Sequence, residues 1–304
     1  MYIALGLNPV LDIIFSDQTK TVDHRSFYDS LDYSTGGFGL NAARALKCLG
    51  NSPLCLFFAG GVAGTLLTSQ LTKEGLRFES FHLGYESRVA ATCLGSGQPR
   101  MSVSPSPALT SSQVDAIFER TLEISTVHDV ILVGGSVHPT NEGRYFNWLR
   151  TLCNERRCCC DIRTTRVADI LAARPFVLRL PSQPGEIVEP RARLTQLQCA
   201  TREGVFLAIH SLAPRRLLAA SREGLLQGTA PRLRAVNSFG AGDCLMAALA
   251  HYLCTGHSIM SAVQCSMAAA SASVLTAIPG FFNTLKARDL ESRVTIQTLA
   301  QATS

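Results

Sequence analysis

The sequence of 304 residues predicts a single α/β domain spanning residues 1–304, with a mostly parallel central sheet, helices on its faces and a small β flap. Three observations predict it. Apolar runs of strand length alternate with stretches of helical period, which is the mark of βαβ units. The runs are apolar without interruption, as in Leu-Cys-Leu-Phe-Phe at 54–58 and Val-Ile-Leu-Val at 130–133, and strands buried on both faces need that pattern. Two segments break the rhythm, and no long linker divides the chain.

Each element follows from its residues. Residues 1–15, MYIALGLNPVLDIIF, read as the first strand. No basic stretch precedes them, Asp12 interrupts them and no signal-type cleavage site is evident, so they are not expected to be a targeting leader. The flap is expected at about 15–35 and 86–105, where RVAATCL and RMSVS flank Gly95-Ser96-Gly97-Gln98-Pro99 as hairpin arms flank a turn. Gly36, Gly37 and Gly39 lead into a helix with apolar Ala42, Ala43, Leu46 and Leu49, ended by Gly50. Strands at 54–58, 130–133 and 158–162 are followed by helical stretches at 64–75, 141–153 and 167–173. Gly240 and Gly242 open a helix that runs through CLMAALAHYLC to Gly256. The longest apolar stretch, 261–282, is rich in Ala and Ser and broken by Gln264 and Pro279, so a buried helix is expected there and no membrane span.

Lys and Arg total 28 and Asp and Glu 23, a balance of +5 that suits an anionic small molecule. Nucleic acid is not an expected partner, because its binders concentrate basic residues. Arg215, Arg216, Arg222, Arg232 and Arg234 are spread among apolar residues and read as solvated faces. The eleven cysteines are odd in number and sit mostly in apolar stretches, where thiols act as small hydrophobes. They imply no disulfide framework and a reducing, cytoplasmic location. Cys158-Cys159-Cys160 lacks the pairing of a zinc site and reads as a buried strand. His251 reads as a packed or surface imidazole and Cys244 as a buried thiol, while His138 falls in a loop expected near the site.

Two segments carry chemistry. In Thr35-Gly36-Gly37-Phe38-Gly39-Leu40-Asn41, glycines let the backbone approach a ligand at the start of a helix. Gly37, Gly39 and Ala42 also satisfy G-x-G-x-x-A, but the next strand runs into Ala59-Gly60-Gly61 instead of ending in the acidic residue a dinucleotide fold needs. In Val236-Asn237-Ser238-Phe239-Gly240-Ala241-Gly242-Asp243, a helix N-terminus built on glycines offers unpaired N–H groups and a positive dipole end to an anion. A lone Asp243 there is a helix cap; beside a phosphate cradle it also accepts a proton from an attacking hydroxyl.

These two segments, in this order and separation, resemble the two signature motifs of the ribokinase-like (pfkB) sugar kinases. Gly6-Leu7-Asn8-Pro9-Val10-Leu11-Asp12 further resembles the T-L-N-P-x-x-D opening of the phosphosugar branch, which holds 1-phosphofructokinase and tagatose-6-phosphate kinase. The resemblance covers nearly the whole chain and implies a three-layer α/β/α fold, ATP and Mg2+ as cofactors, a sugar or sugar phosphate as acceptor and a homodimer through the lid that the flap forms. It implies that Asp12 and Asn41 bind sugar hydroxyls, that Gly36 and Gly37 admit the sugar, and that Arg88 contacts a substrate phosphate. It further implies that Asp243 is the base and that the amides of Gly240, Ala241 and Gly242 form the anion hole. Gly135 and Ser136 resemble the family's turn after a central strand.

Departures from the family pattern are equally definite. Gly37-Phe38-Gly39 lacks the lysine of G-G-K-G. The metal-organising K-P-N-x-x-E reads Arg179-Leu180-Pro181-Ser182-Gln183-Pro184-Gly185-Glu186, so Glu186 matches only with a one-residue shift. The nucleotide-side S-L-G-x-x-G reads Ser211-Leu212-Ala213-Pro214-Arg215-Arg216, which keeps Ser211 and puts Arg215 or Arg216 where charge can replace the lost glycines. The first reading is therefore an ATP-dependent kinase acting on a ketohexose phosphate or related sugar. The second is a catalytically silent relative that binds such a sugar as a sensor or interaction partner.

Overall fold

The computed structural model describes residues 1–95, 99–180, 189–212 and 215–299. In chain order the first half holds β1 (Tyr2–Gly6), β2 (Val10–Val22), β3 (Arg25–Gly36), α1 (Phe38–Cys48), β4 (Leu54–Ala59), α2 (Gly61–Lys73), β5 (Arg77–His82), β6 (Arg88–Cys93), β7 (Arg100–Val103), α3 (Ser111–Ile124) and β8 (Val130–Ser136). The second half holds α4 (Glu142–Glu155), β9 (Arg157–Arg163), α5 (Val167–Ala173), β10 (Val177–Arg179), α6 (Pro190–Arg202), β11 (Leu207–Leu212), β12 (Arg216–Ser221), β13 (Gly224–Thr229), α7 (Ala241–Cys254), α8 (Ile259–Ser273), α9 (Thr284–Glu291) and β14 (Thr295–Leu299).

The main sheet runs β14-β13-β12-β11-β10-β9-β8-β1-β4-β5. From β11 to β5 every neighbouring pair is parallel, and β12 to β14 add an antiparallel edge. Strand side chains alternate between two cores, as a period of two requires. Val130 and Leu132 of β8 pack with Leu245 and Leu249 of α7 and Ala262 of α8, whereas Ile131 and Val133 pack with Phe118 of α3 and Phe146 and Leu149 of α4. Cys158, Cys159 and Cys160 are fully buried in β9, as the apolar run predicts, and all eleven cysteines are free. No helix of the described residues is long and apolar enough to cross a membrane.

The flap is a second sheet in the order β3-β2-β6-β7. It corrects the reading of residues 1–15 as one strand. β1 ends at Gly6, and Asn8-Pro9 turn the chain out of the main sheet into β2, because Pro9 has no amide for the ladder and fixes its own φ. Residues 96–98, within the stretch expected to turn between the hairpin arms, lie outside the described residues. The stretch 261–282 is also not one helix. α8 ends at Ser273, and Pro279-Gly280 then pass under α1, with Gly280 at φ 79°.

The parallel strands all point their carboxyl ends to one edge of the sheet, where α/β folds bind ligands. Ser136, Arg163 and Arg179 end β8, β9 and β10 there. The flap rises from the same edge at Asn8-Pro9, and the first turn of α7 reaches it through Gly242, which lies against Arg179.

Candidate active site

The first turn of α7 is built to receive an anion. Gly240 caps it with φ 78°, and a Cβ at Gly240 would lie 2.9 Å from the Gly280 nitrogen, so both the backbone angle and the space call for glycine. The helix ladder begins with the Cys244 amide donating to the Gly240 carbonyl at 2.9 Å. The amides of Gly240, Gly242 and Asp243 have no acceptor among the described residues, and that of Ala241 reaches only the Ser238 carbonyl at 3.5 Å. Unpaired N–H groups at a helix N-terminus, with the positive end of the helix dipole, favour a phosphoryl group.

Asp243 stands in this turn with a narrow opening to solvent. Asn41 of α1 donates Nδ2–H to Asp243 Oδ2 at 2.8 Å, across 202 residues of sequence. Burial pushes the Asp243 carboxyl up to about 7; the Asn41 hydrogen bond opposes this, the Asp161 carboxylate adds to it, and Arg179 and Arg163 pull the other way. A carboxylate poised near neutral pH is suited to take a proton and release it.

Arg44 fixes Asn41. Its Nη1 donates to Asn41 Oδ1 at 3.2 Å, which leaves the Asn41 amide nitrogen to face Asp243. The Arg44 guanidinium is 5% exposed and forks onto Glu74 through Nε at 2.8 Å and Nη2 at 2.9 Å, with the Thr35 and Pro279 carbonyls as further acceptors. The sequence reading missed both Arg44 and Glu74. Arg44 lies three residues after Asn41 on one helix, a spacing that puts them side by side and was the available signal; nothing in the sequence marks Glu74 as its partner.

On the acceptor side, Asp12 is 1% exposed and accepts from Thr92 Oγ1 at 2.7 Å. Burial raises its pKa, against Thr92 and Arg44. Arg88 is half-buried, and among the described residues its Nη1 and Nε reach only the Asn8 and Ser104 carbonyls, each at 3.4 Å. Burial, then the nearby Arg163 cation, lowers the pKa of Arg88. Asn8 donates to Ser106 Oγ at 2.7 Å and Ser136 Oγ at 3.0 Å, at the mouth of a cavity of about 220 Å³ that His138, Asn141 and Tyr145 also line. Gly36 and Gly37 pack on this turn: a Cβ on either would lie 2.8 Å from Val10 Cγ1 or the Asn8 carbonyl. Phe38 is buried against Gly134 of β8 and contributes packing alone.

The structure thus brings Asp243, Gly240, Ala241, Gly242 and Asn41 together, and places Asp12, Gly36, Gly37 and Arg88 where flap and sheet edge meet. Asn41 is engaged with Asp243 and Arg44. Ser211 lies half-buried near the end of β11, and Arg215 donates to the Ala230 carbonyl at 3.0 Å; among the described residues neither hydrogen-bonds to the first turn of α7. Glu186 lies outside the described residues, as do Ala213 and Pro214.

The α7 turn fits the transferring phosphate of a nucleotide. A resident metal fits less well: the carboxylate that acts on Asp243, Asp161, is already bound by Arg179 Nη1 at 2.6 Å, and the described residues hold no group of three or more metal-ligating side chains.

Comparison with known proteins gives one family. The profile of the pfkB family carbohydrate kinases matches residues 8–281. The ATP-dependent 6-phosphofructokinase isozyme 2 of Mycobacterium tuberculosis is 25% identical over 284 residues, covering 90% of this chain and 84% of that protein. The enzyme of the same name from Escherichia coli is 27% identical over 255 residues, covering 80% and 82%. Among solved structures, phosphofructokinase-2 from Escherichia coli in complex with substrates and products superposes with a TM-score of 0.85 at 22% identity, covering 96% of this chain and 98% of that one.

Proposed function

Since the chain belongs to the pfkB family of carbohydrate kinases, we propose that it transfers the γ-phosphate of ATP to a hydroxyl of a ketohexose phosphate. One observation carries the reading: Asp243, with its pKa pushed up to about 7, is held by Asn41 at 2.8 Å in a helix turn where the amides of Gly240, Gly242 and Asp243 face no acceptor among the described residues. In the reaction the acceptor oxygen forms its bond to the γ-phosphorus as the bond to the ADP oxygen breaks, and the hydroxyl proton passes to Asp243. The amides of Gly240, Ala241 and Gly242 hold the transferring oxygens, where preorganised donors contribute most. The nucleotide would be taken as its Mg2+ complex, the ion supplying charge neutralisation, and the family resemblance assigns Ser211 and Arg215 to the nucleotide side.

Phosphofructokinases and tagatose-6-phosphate kinases among the relatives support a phosphorylated ketohexose. Arg88 supports it too, because a half-buried guanidinium with only two long contacts to carbonyls among the described residues has donors to offer a phosphate. Asp12 orients the sugar hydroxyls beside it. A cytoplasmic location goes with this reading, since free thiols, ATP and sugar phosphates share that compartment.

ADP release from Mg-ATP with fructose 6-phosphate, fructose 1-phosphate, tagatose 6-phosphate and unphosphorylated sugars tests the proposal. Turnover on a ketohexose phosphate is expected, with a loss of about 10³-fold or more in Asp243→Asn. Folded protein that is silent across the panel would overturn the reading.

A further inference from the structure

The kinase reading leaves a cation beside the base without a role. Arg179 and Asp161 lie one residue beyond the last residues that pair β10 with β9, and Arg179 Nη1 donates to Asp161 Oδ2 at 2.6 Å. That bond aims the guanidinium at the first turn of α7. A Cβ placed on Gly242 would lie 2.4 Å from Arg179 Nη1, 3.0 Å from Cζ and 3.1 Å from Nη2, so the guanidinium rests directly on the glycine whose amide is unpaired. Among the described residues Nη1 has an acceptor, and Nη2 and Nε have none. Burial penalises the charge, and Asp161 with Asp243 more than offsets it, so Arg179 stays protonated.

Resting on the kinase reading, we propose that Arg179 is a catalytic residue of this chain: its guanidinium, held by Asp161 against Gly242, donates to the transferring phosphoryl group beside the α7 amides. Phosphoryl transfer spreads negative charge over three equatorial oxygens, and a fixed guanidinium neutralises such charge as a bidentate fork. Asp161, which a metal would otherwise find free, is engaged by that arginine. Asp161 is then a positioning residue. Gly242 has a second reason to be glycine, since any side chain would displace the guanidinium.

The test separates this role from plain charge balance and from the kinase reading itself. Calorimetry in EDTA compares ADP with adenylyl imidodiphosphate, a non-hydrolysable ATP analogue, so that the γ-phosphate is read without metal and without turnover. The wild-type protein is expected to prefer the analogue by about tenfold or more. Arg179→Gln should erase the preference; Arg179→Lys should keep part of it, and Asp161→Asn should weaken it. In turnover, Arg179→Lys should lower kcat by about 10²-fold with little change in KM for the sugar, as expected for a donor used in the transition state. No γ-phosphate preference in the wild type, or an unchanged one in folded Arg179→Gln, would overturn the proposal. If Arg179→Gln does not fold, the lysine and asparagine variants carry the same comparison, and an undiminished preference in both overturns it. An Arg179-dependent preference in a protein that turns over no sugar would sink the kinase reading and leave the arginine's role standing.

Discussion

At the scale of single residues, the energetics centre on Asp243. Its pKa, pushed up to about 7, makes the base half-protonated at neutral pH, so kcat/KM should rise with pH through about 7 and level off above 8. A flat profile from pH 6 to 8 would contradict that assignment. The same shift has a stability consequence with a definite sign. The folded state holds the Asp243 proton more tightly than the unfolded chain, whose value is 3.8, so ionising it costs stability; the cost grows from about pH 4 to about pH 7 and is constant above. The rise from 3.8 to about 7 caps it at about 4 kcal/mol, and the partial opening to solvent lowers that. Asp243→Asn keeps an acceptor for Asn41, so it should be inactive yet more stable than wild type by about 1–3 kcal/mol at pH 8, with the gain gone near pH 4. Urea melts at both pH values check it. Asp243 and its glycines were legible because a helix start is local chemistry. Arg179 with Asp161, and Arg44 with Glu74, were not, because each pair joins different elements and neither residue is unusual in its own segment.

At the scale of elements, α1 is a platform that sets the geometry of α7. It presents Asn41 to Asp243 and Arg44 to Glu74 at the end of α2, with the Thr35 and Pro279 carbonyls completing the Arg44 shell. Truncating one member of a buried pair strands the other, so Arg44→Met should destabilise by about 3 kcal/mol. It should also lower kcat, because the Asn41 amide loses the donor that orients it. Glu74 is a quarter exposed, so Glu74→Met should cost less, and the double variant less than the sum of the two singles. Additive costs would show that the pair does not act as a unit. The helices and buried strands were readable from period and apolar runs. The break at Gly6 was not, because β1 and the start of β2 are equally apolar and only Pro9 marks where one sheet ends and the other begins. Likewise α8 and the segment after it share one apolar composition, and only Pro279-Gly280 separates them.

At the scale of the whole molecule, the flap poses a problem that one copy of the chain does not solve. The β2–β3 register places Phe15 opposite Leu31 and Ile13 opposite Tyr33, so these four side chains share one face. Leu31 is 49% exposed and Tyr33 43%, and β3 and β7 are both free sheet edges. An apolar stripe beside unpaired strand edges invites pairing, and a two-fold partner that stacks flap on flap covers it without propagating into a filament. The homodimer expected from the sequence is therefore placed at this face as a proposal, and light scattering at micromolar concentration should give twice the 32.7 kDa of the chain. Leu31→Asp puts a charge in the middle of the stripe without touching the main sheet, so it should yield a folded monomer with an unchanged melting transition of the α/β body. Asp12 of β2 and Thr92 of β6 sit on the opposite face of the same sheet, the side on which the proposed function puts the acceptor. Loosening the flap by losing its partner should therefore raise KM for the sugar before it affects binding of the nucleotide. A wild-type protein that is already monomeric would remove the dimer, and the exposed stripe would then need another explanation.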